Sequence, residues 1–130
     1  MMFHEFEVGN KTYKLRLNTR NVVMLERRLG CNPIAIFGNG ETIPSITQMM
    51  HILHCSLLEL QHNIGLEDAY AIYDAWLADG HNMTEFINEI LSIYKVSGIM
   101  REDTKAEIFE ENNDGSARPR LLEAAANEKN

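Results

Sequence analysis

The chain has few cysteines, no long apolar run and no concentration of positive charge, and each shortage excludes a class. Its two cysteines, Cys31 at an expected helix end and Cys55 inside an expected helix, do not form a disulfide framework. No stretch approaches the roughly eighteen apolar residues of a membrane-spanning helix. The opening Met1-Met2-Phe3-His4-Glu5 lacks a basic region followed by an apolar run, so it does not read as a signal peptide, and the expected compartment is the cytoplasm. Twelve basic against nineteen acidic side chains leave a formal charge of −7. Nucleic acid is therefore not expected as the main ligand, because duplex affinity comes from Lys and Arg against phosphate. Arg27-Arg28 is the densest basic pair, and Glu26 stands beside it. No Gly-rich phosphate loop or local nucleophile signature is present, and we expect no enzyme.

What remains is a 130-residue chain with 45% hydrophobic residues, enough for one core without metals or disulfides. Residues 3–17 read as a β-hairpin, with Phe6 and Val8 alternating with charges on one arm and Tyr13, Leu15 and Leu17 on the other. Gly9-Asn10 is a positive-φ pair for a two-residue loop. That loop pairs Phe6 with Tyr13 and Glu5 with Lys14, an aromatic pair and an opposite-charge pair.

Helices follow at about 19–29, 33–37, 44–61, 66–79 and 83–97. Asn18 or Thr19 caps the first and Gly30 stops it. Asn32-Pro33 opens a short second one. Pro44 opens the longest, whose Ile46, Met49, Met50, Leu53, Leu57 and Leu60 form one stripe. Ile52 and Leu58 lie off that stripe, as in a central helix touched on several sides. Asn82 and Glu85 make an Asn-type capping box ahead of Met83, Phe86, Ile87, Ile90, Leu91 and Tyr94, all expected inward. The expected fold is α+β, mainly α: an N-terminal β-hairpin packed on about four helices in one compact domain, residues 1–100. Residues 101–130 hold eight acids and five bases with few large apolar side chains, and read as a flexible acidic C-terminal tail. Asn112 to Ser116 is a break in it, and Leu121 to Ala126 a transient helix.

Three groups of residues invite chemistry. His51, His54 and Cys55 share a helix face at metal-ligand spacing, with His62 or His81 as a fourth donor. The plainer reading is preferred: flank and core residues of a central helix, cysteine being a common small core hydrophobe. Asp79-Gly80 with Glu85 is no calcium loop, since that register puts Ala75 and Leu77 at ligand positions. Tyr70, Tyr73 and Trp76 share a wide face, read as core before ligand pocket.

Several segments together resemble the small tail assembly chaperones of long-tailed bacteriophages and prophages of Gram-positive bacteria. They are Tyr13-Lys14-Leu15-Arg16-Leu17-Asn18-Thr19-Arg20, Leu25-Glu26-Arg27-Arg28-Leu29-Gly30, Asn32-Pro33-Ile34 and Ile52-Leu53-His54, followed by Ala69-Tyr70, Asp79-Gly80-His81 and Tyr94-Lys95-Val96-Ser97-Gly98. Their order and spacing carry the likeness, from about Tyr13 to Ile99. The resemblance implies a non-catalytic assembly factor without cofactor, acting in the host cytoplasm and not retained in the mature virion. Its implied partners are the tape-measure protein, which it coats, and the tail-tube protein, which it helps recruit. A longer frameshifted product is also implied, diverging after about Met100.

A coating protein must shield a long apolar helix, which an amphipathic groove on an acidic exterior achieves. Phe3, Tyr13, Met49 and Met50 are expected to edge that groove. The hairpin's edges also suit pairing with a second copy in a homo-oligomer. The alternatives are a structural minor tail or tail-completion protein, and a small metal- or ligand-dependent regulator resting on His51, His54 and Cys55.

Overall fold

The computed structural model describes residues 2–38, 43–101, 109–111 and 117–119. An antiparallel hairpin, β1 (His4–Val8) and β2 (Lys11–Leu15), precedes four helices: α1 (Thr19–Leu29), α2 (Ile46–Leu57), α3 (Leu66–Ala78) and α4 (Met83–Val96). A 3-10 turn, Pro33–Phe37, lies between α1 and α2. The architecture is the expected one, a hairpin packed on four helices in a mainly helical α+β fold. No described helix is long and apolar enough to cross a membrane.

The hairpin has the expected register, Phe6 opposite Tyr13 and Glu5 opposite Lys14. Its loop differs from expectation in one respect. Gly9 takes a φ of 59°, while Asn10 is not among the positive-φ residues. Positive φ at the first central position alone is the pattern of a type II′ loop, which demands glycine there and nothing special after it.

Each helix start is satisfied locally. Asn18 Oδ1 accepts from the Asn21 N–H and Asn82 Oδ1 from the Glu85 N–H. The Gly65 N–H donates to Asp68 Oδ2 at 2.8 Å, closing the start of α3 where the cap residue has no side chain. Helix α2 is shorter than expected at both ends. Ser45, not Pro44, is its cap, with a reciprocal box in which Ser45 Oγ accepts from the Gln48 N–H and Gln48 Oε1 from the Ser45 N–H. At its far end the Arg16 N–H donates to the Ser56 carbonyl at 3.0 Å, where the helix gives way to a turn. The longest helix is therefore α4, with 14 residues against 12 in α2.

Helix α2 is central, as its second apolar face implies: Met49, Ile52, Leu53, Cys55, Ser56 and Leu57 are all fully buried. Beneath the hairpin is an aromatic cluster. The Phe6 ring lies 5.6 Å from Trp76 and 5.8 Å from Phe86, and Tyr73 meets Phe86 edge-on at 5.2 Å. Such tilted and edge-on pairs add to the burial of the rings themselves. Met83, expected inward, is instead 37% exposed. As the first residue of α4 it stands a turn short of Phe86, where that helix meets the core.

Most of the expected acidic tail, including Asn112 to Ser116 and Leu121 to Ala126, lies outside the described residues. Within 101–130 the structure adds a short antiparallel pair that the tail reading did not contain, β3 (Phe109–Glu111) with β4 (Ala117–Pro119), Glu110 opposite Arg118.

Phe6 fastens the hairpin to α3 and α4, so Phe6→Ala is expected to lower unfolding free energy by about 3–5 kcal/mol in denaturant melts. Val23→Ala, at a 40% exposed position on α1, is expected to stay within about 0.5 kcal/mol.

Candidate partner-binding site

Two features of the fold bear on function, a groove between α2 and α3 and a polar network between α1 and α2. Ile46, Thr47 and Met50 supply one wall of the groove, and Tyr70, Tyr73 and Asp74 the other, around a volume of about 370 Å³. Ile46 and Tyr70 are 44% and 38% exposed on its rim, whereas Tyr73 is buried, its ring held against Phe86. Burial and then the Asp74 carboxylate push the Tyr73 phenol up from its ordinary pKa, so it presents an O–H and no charge. The groove thus sets the apolar side chains of Ile46 and Met50 beside one carboxylate, one threonine hydroxyl and two phenols. That suits the apolar side chains of a helix or extended segment, with Asp74 placed to accept from a basic residue beside them.

The four residues expected to edge one groove are divided. Met50 lines it, while Met49 is fully buried, because neighbours on a helix diverge by about 100°. Phe3 and Tyr13 lie on the hairpin, half-buried, and are not among the lining residues. The Lys14 Nζ sits 5.1 Å above the Phe3 ring, and Tyr13 packs against the core. Ile46 and Tyr70 were missed as site residues because periodicity assigned both to inward faces.

His51, His54 and Cys55 are adjacent, but their partners are protein groups. His54 is buried, its Nδ1 2.8 Å from Arg28 Nη1 and its Nε2 2.9 Å from the Ile64 carbonyl. Arginine only donates and a carbonyl only accepts, so this is the neutral tautomer with the proton on Nε2. Both nitrogens are committed, and His54 joins α1, α2 and the α2–α3 connection. Arg28 Nη1 also reaches Cys55 Sγ at 3.7 Å. Burial nonetheless pushes the Cys55 thiol up, outweighing the guanidinium's pull. Of the expected fourth donors, His81 stacks on Trp76 at 4.4 Å and bonds Glu85 through Nδ1 at 2.9 Å, and His62 is exposed. Among the described residues no group of three or more His, Cys, Asp or Glu is arranged to hold a metal ion. The cluster fits a tie between helices better than a metal centre.

A family model described as a family of unknown function, DUF6096, matches residues 3–121. The chain belongs to that family. No curated protein and no solved structure matches it. The match takes in the hairpin, the groove and the His54 network, so all three lie within the DUF6096 unit.

In this DUF6096 chain His51 lies one turn ahead of His54 on α2 and is half-buried. Among the described residues its Nδ1 is buried without a hydrogen-bond partner, and burial, then Arg28, lower its pKa from 6.5. The folded state therefore sheds this proton at lower pH than the unfolded chain does. Between that lower pH and 6.5 the unfolded state holds more protons, so stability falls as pH falls through the window. His51→Gln is expected to shrink the loss of Tm between about pH 7.5 and about pH 5, measured by calorimetry.

Proposed function

We propose that this protein is a tail assembly chaperone: a non-catalytic factor that binds the tape-measure protein through the α2–α3 groove and helps recruit tail-tube subunits. Tape-measure proteins are long, apolar and prone to coil. A small chain that covers such a helix needs an apolar slot, a soluble exterior and no bond-making chemistry. The observation that carries the proposal is the slot itself, with exposed Ile46 and Tyr70 on its rim, in a chain of net charge −7. Exposed apolar residues gathered about a concavity mark interaction surfaces, unlike ones scattered singly. The order of segments from Tyr13 to Ile99 supports the same assignment. On this proposal the protein acts in the host cytoplasm and leaves before the virion matures.

The test is co-expression of the full chain with the tape-measure protein of the same gene neighbourhood, followed by size exclusion with mass determination. A soluble complex with several copies of this chain per partner is the expected result, and purified tails are expected to lack the chain. An insoluble partner with this chain eluting alone removes the chaperone assignment. Retention in tails favours the minor tail or tail-completion role. Within a complex, Ile46→Asp with Tyr70→Ala is expected to weaken binding by about 2 kcal/mol or more without unfolding the chain, since both side chains are largely exposed.

A further inference from the structure

The hairpin carries a second recognition element, unlike the groove. Its two edges are in opposite states. On β2, the Lys14 N–H donates to Gln61 Oε1 and the Lys14 carbonyl accepts from Gln61 Nε2, both at 2.9 Å. The side-chain amide of Gln61 stands in for a neighbouring strand. Two residues on, the Arg16 N–H donates to Ser56. The outer edge of β2 is thus occupied at Lys14 and Arg16.

Those same bonds settle the state of β1. In an antiparallel pair, a residue and its opposite number either exchange both backbone bonds or point both sets away from each other. Lys14 turns its N–H and carbonyl away from β1, so its partner Glu5 turns its own away from β2. By the same alternation Glu7, opposite Thr12, does so too. Gly9 belongs to this outward series, and its N–H donates to Asp79 Oδ2 at 2.7 Å, closing the edge at the loop end. Among the described residues no hydrogen bond reaches the backbone of Glu5 or Glu7. Two N–H and two carbonyl groups are left, spaced for a strand. Both glutamates are exposed, and no ion pair engages either carboxylate among the described residues. The Lys14 ammonium opposite Glu5 lies over the Phe3 ring instead.

We propose that the open edge of β1 is a docking site for an extended segment of a partner protein carrying Lys or Arg at alternate positions. The backbone groups of Glu5 and Glu7 pair with that segment's main chain, and their carboxylates meet its basic side chains across the new strand boundary. Charge decides against a second copy of the hairpin. Antiparallel self-pairing centred on Phe6 sets Glu5 and Glu7 beside the other copy's Glu7 and Glu5, four like charges on one face. The site is separate from the α2–α3 groove and stands whether or not the groove binds a tape-measure protein.

The experiment is amide NMR of the full chain titrated with a synthetic peptide alternating lysine with valine, and separately with its glutamate–valine counterpart. The expected result is saturable shifts and slowed hydrogen exchange at the Glu5 and Glu7 amides with the lysine peptide alone. Glu5→Pro removes only an outward N–H from an edge strand and is expected to weaken binding about tenfold or more. Should that variant lose the hairpin, Glu5→Gln with Glu7→Gln leaves the backbone intact and is expected to abolish the preference for lysine over glutamate. Shifts confined to α2 and α3, equal response to both peptides, or no response at Glu5 and Glu7 overturns the proposal. So does a free protein whose Glu5 and Glu7 amides are already protected, which assigns the edge to a second copy or to another part of this chain.

Discussion

A two-stranded hairpin has too little area to hold itself together in water, so β1 and β2 exist only while the helices hold them. The Phe6 ring, packed between Trp76 of α3 and Phe86 of α4, is the central attachment. Around it are polar fastenings at long sequence separation: His4 to Glu89, Gly9 to Asp79, Arg16 to Glu59 and the Leu17 N–H to Ser97 Oγ. These draw the N-terminus against the last helix and close the fold end on end. Their cost is backbone freedom, and what offsets it is burial of Phe6, Val8, Leu15 and Leu17 in one cluster with the helical core. Other features follow from that attachment. Helix α2 ends where the hairpin's Arg16 claims the Ser56 carbonyl. Gln61 turns back because Lys14 offers it a donor and an acceptor at once.

Two polar side chains inside this core tie distant elements together. Tyr94, fully buried, donates from its hydroxyl to the Pro33 carbonyl at 3.0 Å and ties α4 to the 3-10 turn. His54 performs the same service between α1 and α2. In both cases an apolar ring fills volume while its polar end satisfies a backbone or cationic group that would otherwise be stranded. Histidine and cysteine at ligand spacing carry a metal only when their lone pairs are free. Here an arginine occupies the inner side of the cluster, and a fixed cation beside the donors opposes a second one.

Elements whose cause is local were legible in the chain. Gly9-Asn10 set the hairpin register because a two-residue loop admits one pairing, and Asn18, Asn32 and Asn82 marked helix starts because each answers its own orphan N–H groups. Features caused by a distant partner were not. Nothing near Gln61 says that Lys14 will meet it, and nothing near His54 names Arg28. The groove was missed for a related reason. Helical periodicity says that Ile46 shares a face with Met50 and Leu53, but not where the neighbouring helix stops covering that face. At Leu53 the stripe is fully buried; at Ile46, the first residue of a helix that begins late, after its cap Ser45, it is half in solvent. The same end effect left Met83 outside. Helix ends are where a correct stripe yields a wrong burial, and where side chains become free to meet a partner.

The two surfaces left open differ in what they read. On the proposed role, the groove between α2 and α3 would distinguish partners by side-chain shape and by one carboxylate, Asp74, with selectivity for apolar spacing and a basic residue alongside. The β1 edge reads main chain, which every protein has, and is selective only through the charges of Glu5 and Glu7 and the gap that Gly9 and Asp79 close at one end. Both therefore favour basic partners, as does the field of a chain with seven more acids than bases, nineteen less twelve. Long-range attraction of that kind raises encounter rates and falls with added salt, while the short-range apolar fit sets how long a complex lasts. On the proposed chaperone role, a factor that covers its client during assembly and then leaves would be served by that division: capture governed by charge, and retention limited by a groove of modest size.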